Sequence, residues 1–169
     1  RRARKDIRAV STPATSRNLR QLLTDGVVCL HYCGHGLLLG GDGGGGDGRF
    51  CLVLEDGSGG THLLPAADLE ALVAAGGHAL QLVVVSACFS HGGGAAFVAA
   101  GVPHVIAVKR AERIQDRAAA VFAEAFYYAV LRGGKTVQQA FDIGRSAVAN
   151  ACGIVEAHSE AEKFVLLPH

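Results

Sequence analysis

Four apolar residues in a row, Leu82-Val83-Val84-Val85, run into Ser86-Ala87-Cys88 and then a Gly-rich turn, Gly92-Gly93-Gly94. An apolar, β-branched run with no polar alternation has no face to give to water. It reads as a strand buried on both faces, inside a sheet covered by helices. The segment Gly94 to Ala100 that follows is apolar and has helical character. Strand, turn and helix together place Cys88 at the carboxyl end of a central strand, near a helix N-terminus. In open parallel sheets that crevice is where ligands and chemistry sit. The partial positive charge of a helix N-terminus also favours a thiolate over a thiol.

A second stretch supplies what a cysteine nucleophile lacks. Val27-Val28-Cys29-Leu30-His31-Tyr32 reads as another strand, and it runs into Cys33-Gly34-His35-Gly36. If the two strands are neighbours, His35 and Cys88 emerge at one sheet edge as base and nucleophile. Gly36 and the backbone around Cys88 are then placed to present N–H donors to an oxyanion, and glycine beside the histidine lets a substrate backbone come close.

The chain has 169 residues, half of them hydrophobic, which suffices for one domain with a substantial core. The net charge of +1 argues against a nucleic-acid partner. Seven of the 16 Lys and Arg residues fall between Arg1 and Arg20, and a solvated edge explains them better than a polyanion site. No apolar run is long enough to span a membrane. The chain shows no signal peptide and contains no Met, so a domain cut from a longer protein is expected. Five cysteines, an odd number with two in strands, suit free thiols in a reducing, cytoplasmic compartment.

Along the chain, Asp6 to Ser11 reads as a short strand, and Ser16 caps a helix through about Leu23. Gly40 to Gly48 is a flexible low-complexity loop, since no Lys-Ser/Thr follows it to make a phosphate cradle. Phe50 to Leu54 and Thr61 to Leu64 bracket a Gly-rich turn and read as a β-hairpin. Pro65 begins a helix that Gly76-Gly77 stops. His104 to Val108 is another buried strand. Asp116 to Leu131 and Thr136 to Asn150 are helices, and Phe164 to Leu167 is a last strand. Strands alternating with helices predict a three-layer αβα sandwich around a mostly parallel sheet, one domain over residues 1–169.

Other chemistries are open to these residues. Cys29, His31, Cys33 and His35 alternate, which brings thiols and imidazoles to one face and invites a metal. Four ligands along one straight strand cannot surround an ion, so Cys29 and Cys33 in or near the core and His31 as a hydrogen-bonded strand residue is the simpler account. Glu112 and Asp116 lie near the expected carboxyl edge, where either can hold a basic substrate side chain. An ordinary acid at a helix N-terminus explains Asp116 equally well. Ser90 to Gly94 offers an anion site of flavodoxin type, without the glycine spacing of a nucleotide fold.

The motifs carry a family resemblance. His31-Tyr32-Cys33-Gly34-His35-Gly36 is similar to the HYSGHG histidine motif of metacaspases. Val85-Ser86-Ala87-Cys88, followed by Phe97-Val98-Ala99-Ala100-Gly101-Val102-Pro103-His104-Val105-Ile106-Ala107, resembles the SAC…FL-x-AG-x-P-x-VIA stretch of CHAT domains, caspase-like domains often fused to TPR repeats and related to separase. Asp116 through Tyr127, Leu131 to Gly134, Ala140-Phe141 and Phe164 to Pro168 follow in the same order. The resemblance implies a caspase-haemoglobinase fold that here begins at the family's second strand, without its first strand and helix. It implies a cysteine endopeptidase acting on protein or peptide substrates, with no cofactor and no metal. His35 would be the catalytic histidine, Cys88 the nucleophile, and Gly36 and Cys88 the oxyanion donors. Repeat domains such as TPR would be partners in the same chain. Metacaspases carry an acid two residues before the nucleophile; here that position is Ser86, so a basic P1 residue is not implied, and Ser86, Glu112 and Asp116 are the substrate-binding candidates. The alternative the family allows is a catalytically silent scaffold in a signalling protein.

Overall fold

The computed structural model describes residues 7–40, 48–109 and 112–168. In chain order its elements are α1 Ser16–Thr24, β1 Cys29–Cys33, β2 His35–Leu39, β3 Arg49–Glu55, β4 Thr61–Pro65, α2 Ala66–Gly76, β5 Leu82–Ser86, α3 His91–Ala99, β6 Val105–Val108, α4 Asp116–Tyr127, α5 Val137–Ala149, α6 Ala157–Glu162 and β7 Phe164–Leu167. A π turn, Tyr128–Arg132, extends α4.

Two sheets form. The larger has the order β1-β5-β6-β7. β1, β5 and β6 run parallel and β7 antiparallel, so the sheet is mostly parallel, as its apolar runs predict. The smaller is antiparallel, β2-β3-β4. β5 and β6 are buried along nearly their whole length, because both faces of the large sheet are covered. One core holds Tyr32, Val83, Val85, Phe97 and Val105, with Leu23 of α1, Leu69 of α2 and Phe50 of β3. The other holds Leu82, Val84 and Ile106 against the helices α4 to α6. In the second, Phe122 stacks on Phe164 at 4.2 Å between ring centres and meets Phe126 and Phe141 at 5.8 Å. Aromatic pairs of this kind add about 0.5–1.5 kcal/mol beyond the area they bury. The result is helices, sheet, helices: the three-layer sandwich expected.

Helix starts follow capping chemistry. Thr15, rather than Ser16, caps α1 by accepting the Asn18 N–H. Thr136 and Gln139 form a reciprocal capping box on α5. Pro65 is the cap of α2, just before its first turn. One expected strand is absent, and two elements go beyond what was expected. Residues 7–11 form no strand; they are exposed, and only Thr15 makes a bridge, to Glu55. His35–Leu39 is a strand of the small sheet. Residues 157–162 form a helix. Of the Gly-rich loop expected over 40–48, residues 41–47 lie outside the described residues. Among the described residues no helix is long and apolar enough to cross a membrane.

Candidate functional site

β1 and β5 pair in parallel with Cys33 opposite Ser86, and the Gly34 N–H donates to the Ser86 carbonyl at 3.2 Å. Both strands therefore stop at the same level. Counting on equally along each chain reaches His35, the first residue of β2, and Cys88, in the turn before α3. Gly36 is buried, and a methyl group there would run into the Cys88 carbonyl oxygen and the Phe50 ring. The backbone beside His35 is thus laid directly against the backbone of Cys88, as only glycine permits.

The strand bearing His35 is fixed from below. The Tyr32 hydroxyl donates to the Val53 carbonyl at 2.6 Å and lies 3.1 Å from the His35 carbonyl, tying the end of β1 to β3 across the start of β2. Burial is the main reason its phenol is pushed up to about 12.

The turn bearing Cys88 is more tightly specified. Phe89 sits at φ 56, a left-handed conformation that costs a non-glycine residue about 1–3 kcal/mol and persists only where the surroundings enforce it. Its N–H donates to the Glu112 carbonyl at 2.9 Å, and the Arg113 guanidinium lies over its ring at 5.8 Å. Ser90, fully buried, donates its hydroxyl to the Val85 carbonyl and accepts the Val108 N–H at 2.8 Å. One side chain thus ties the turn to both β5 and β6. The glycines that follow serve packing: a Cβ on Gly92 would lie 2.8 Å from Phe50 Cβ, and one on Gly94 3.0 Å from Ala107. With its hydroxyl consumed and its glycines closed over by side chains, the Ser90 to Gly94 turn does not favour the anion reading.

A polar group lies on the opposite face of β1. His31 Nε2 and Ser86 Oγ share a hydrogen bond of 2.9 Å, and the His31 ring lies against Tyr127 at 5.6 Å. Although both side chains reach solvent, their partial desolvation beside Tyr127 lowers the pKa of His31 and raises that of Cys29, the latter against a smaller opposing pull from the Tyr127 hydroxyl. Burial likewise drives Tyr127 upward. Cys29 and Cys33 are exposed, contrary to the core placement expected for them, because β1 lies at the sheet's edge. His31 is the hydrogen-bonded strand residue anticipated. Among the described residues no three His, Cys, Asp or Glu side chains are placed to hold a metal.

The profile of the CHAT domain matches residues 2–160. The chain belongs to the CHAT domain family. No curated protein matches it.

In this CHAT domain the three substrate-binding candidates lie in different settings. Ser86 is engaged by His31 on the α4 side of the sheet. Glu112 neighbours the Cys88 turn through its carbonyl, and its half-exposed carboxylate lies 3.9 Å from Lys163 Nζ. Asp116 is exposed at the first turn of α4. Sequence reasoning overlooked Tyr32, Phe89 and Phe50, which hold the backbone of the pair, and the buried Glu160. Glu160 is 4% exposed although it lies in a polar run, Ala157-His158-Ser159-Glu160-Ala161-Glu162. Only the offset of that run, an acid three residues before Lys163 at the start of a strand, carried a signal for it.

Proposed function

We propose that this CHAT domain is a cysteine endopeptidase in which Cys88 is the nucleophile and His35 the proton donor to the leaving amine. The observation that carries the reading is the common level of β1 and β5 together with the contact of Gly36 on the Cys88 carbonyl. As the Cys88 sulfur attacks the scissile carbonyl carbon, its thiol proton passes to His35. The N–H groups of Gly36 and Cys88 receive the oxyanion, a term worth a few kcal/mol when donors are fixed in advance. His35 gives its proton to the departing amine as the C–N bond breaks. Water, deprotonated by His35, then releases the acyl group and restores the thiol. Every atom in this sequence comes from peptide, water and these two side chains.

Ser86, Glu112 and Asp116 remain the residues proposed to meet the substrate side chain. Of these, Ser86 has its hydroxyl engaged by His31 and Glu112 shares its carboxylate with Lys163. A neutral P1 residue fits these surroundings better than Arg or Lys. The test is intact-mass labelling with peptidyl acyloxymethyl ketones carrying Arg, Lys, Asp, Leu or Ala at P1, on wild type, Cys88→Ala and His35→Ala. The expected result is a single adduct on Cys88, fastest with Leu or Ala and lost in both variants. If folded protein forms no adduct with any member of the panel, the peptidase reading fails and a scaffold role replaces it.

A further inference from the structure

Lys163, at the junction of α6 and β7, reaches three groups at once. Its ammonium donates to the Arg113 carbonyl at 2.8 Å, pairs with the buried Glu160 carboxylate, and lies 3.9 Å from the carboxylate of Glu112. The second oxygen of Glu160 accepts the Gln115 N–H at 3.1 Å. The Gln115 amide donates onward to the Val155 carbonyl at 2.9 Å. Residues 112–115 are therefore gripped by α6 and the start of β7. The same segment carries the two contacts that enforce the left-handed backbone beside the nucleophile, the Glu112 carbonyl on the Phe89 N–H and the Arg113 guanidinium over the Phe89 ring.

A residue in an unfavourable backbone region keeps that conformation only while its neighbours impose it. Phe89 directly follows Cys88, so the direction of the Cys88 side chain and N–H depends on that conformation. Glu160 and Lys163 meet residues 112–115 chiefly through backbone, at the Gln115 N–H and the Arg113 carbonyl, with the Glu112 carboxylate farther off at 3.9 Å. A buried carboxylate paired with a part-buried lysine is weak evidence of a stabilising role, since well-packed apolar residues often serve as well. Here one oxygen of Glu160 holds the Gln115 N–H, its other oxygen pairs with Lys163, and the Lys163 ammonium holds the Arg113 carbonyl, so the pair as a unit is tied to the segment that fixes the turn.

We propose that Glu160 and Lys163 are positioning residues for Cys88: together they clamp residues 112–115, which in turn hold Phe89 in the conformation that aims the nucleophile at the space beside His35 and Gly36. The functional half of this statement rests on the peptidase reading; the mechanical half does not. Opening the clamp frees the Glu112 carbonyl from the Phe89 N–H and lets Phe89 relax out of the left-handed region.

Four variants test it: Lys163→Met, Lys163→Arg, Glu160→Gln, and the double variant Glu160→Gln/Lys163→Met, which leaves no buried charge unpaired. Hydrogen exchange at the Phe89 amide reads the clamp without reference to activity. Exchange about tenfold faster or more is expected in Lys163→Met and in the double variant, with recovery towards wild type in Lys163→Arg. Labelling of Cys88 by the best peptidyl acyloxymethyl ketone should slow by about tenfold. Its alkylation by iodoacetamide, with Cys152 as reference in the same molecule, should change by less than about threefold, the signature of a misdirected rather than a hidden thiol. Unchanged Phe89 exchange in the folded double variant would overturn the proposal. So would global unfolding of that variant, which would make the pair a general support of the fold. A wild type that forms no adduct, with Phe89 exchange responding as stated, removes the peptidase reading and leaves the clamp. An active wild type whose double variant labels at the same rate removes the clamp and leaves the peptidase.

Discussion

At Gly36 the difference between hydrogen and methyl decides whether the histidine strand can lie against the Cys88 turn. Gly36→Ala would drive a methyl into both the Cys88 carbonyl and the Phe50 ring. Overpacking of this kind costs about 1–3 kcal/mol. The expected outcome is a lower urea midpoint together with loss of most Cys88 labelling, and full labelling in Gly36→Ala would show that the contact is slack. Ser90→Ala keeps the shape but leaves the Val108 N–H buried without an acceptor, a loss of about 1–3 kcal/mol measurable by chemical denaturation. The thiols should differ in reactivity for reasons the geometry makes plain. Burial raises the pKa of Cys29 beside Tyr127, so less of it is thiolate at neutral pH and its alkylation should lag behind its exposure. Tyr127→Ala, which opens that environment to water, should speed alkylation of Cys29, as peptide mapping would show.

Among the elements, the buried acid of α6 links stability to pH. Burial alone would raise the Glu160 carboxyl, but the hydrogen bonds from Lys163 and the Gln115 N–H outweigh it and hold the group below its ordinary value of 4.5. A carboxyl depressed in the folded state binds its proton more readily when unfolded. Its contribution is thus complete above the unfolded value of 4.5 and lost as pH falls through the lower folded value. The stability advantage of wild type over Glu160→Gln should accordingly shrink on acidification in paired urea titrations, and a gap independent of pH would refute this. α6 also marks where sequence reading runs out. β5 and β6 were legible because apolar β-branched runs have few other uses, and α5 was placed from Thr136 to Asn150, a start that the capping box of Thr136 and Gln139 explains. Ala157–Glu162 is short and polar, and its burial comes from ion pairing that no periodicity reports. β2, His-Gly-Leu-Leu-Leu, lacks alternation and takes its strand form from pairing with β3. Residues 7–11 have the composition of a strand, but among the described residues they find no pairing partner. His35, Gly36 and Cys88 could be named from motif and order. The residues that hold them could not, since Phe50, Phe89 and Lys163 act through contacts between segments far apart in sequence.

Taken as a whole, the molecule assembles its candidate site from two sheets. His35 and Gly36 begin the small antiparallel sheet, Cys88 follows the central strand of the large one, and the Phe50 ring lies under Gly36, Gly92 and Gly93 at once. Phe50→Ala should therefore do more than open a cavity. A loss of about 3–5 kcal/mol is expected, and Cys88 labelling should fall even at temperatures where circular dichroism shows both sheets intact. Labelling that survives until global melting would instead make the two sheets rigidly coupled by other contacts. The position of Lys163 in the chain adds a matter of timing. A ribosome adds about 5–20 residues each second, so Cys88 and His35 leave it several seconds before the lysine that braces their turn. The histidine, the thiol and most of both sheets can assemble on the nascent chain while the Cys88 side chain is still free to point elsewhere. A chain interrupted before Lys163 would carry His35 and Cys88 without the brace, so on the proposed reading its synthesis would release a protein with the parts of the site and not its aim.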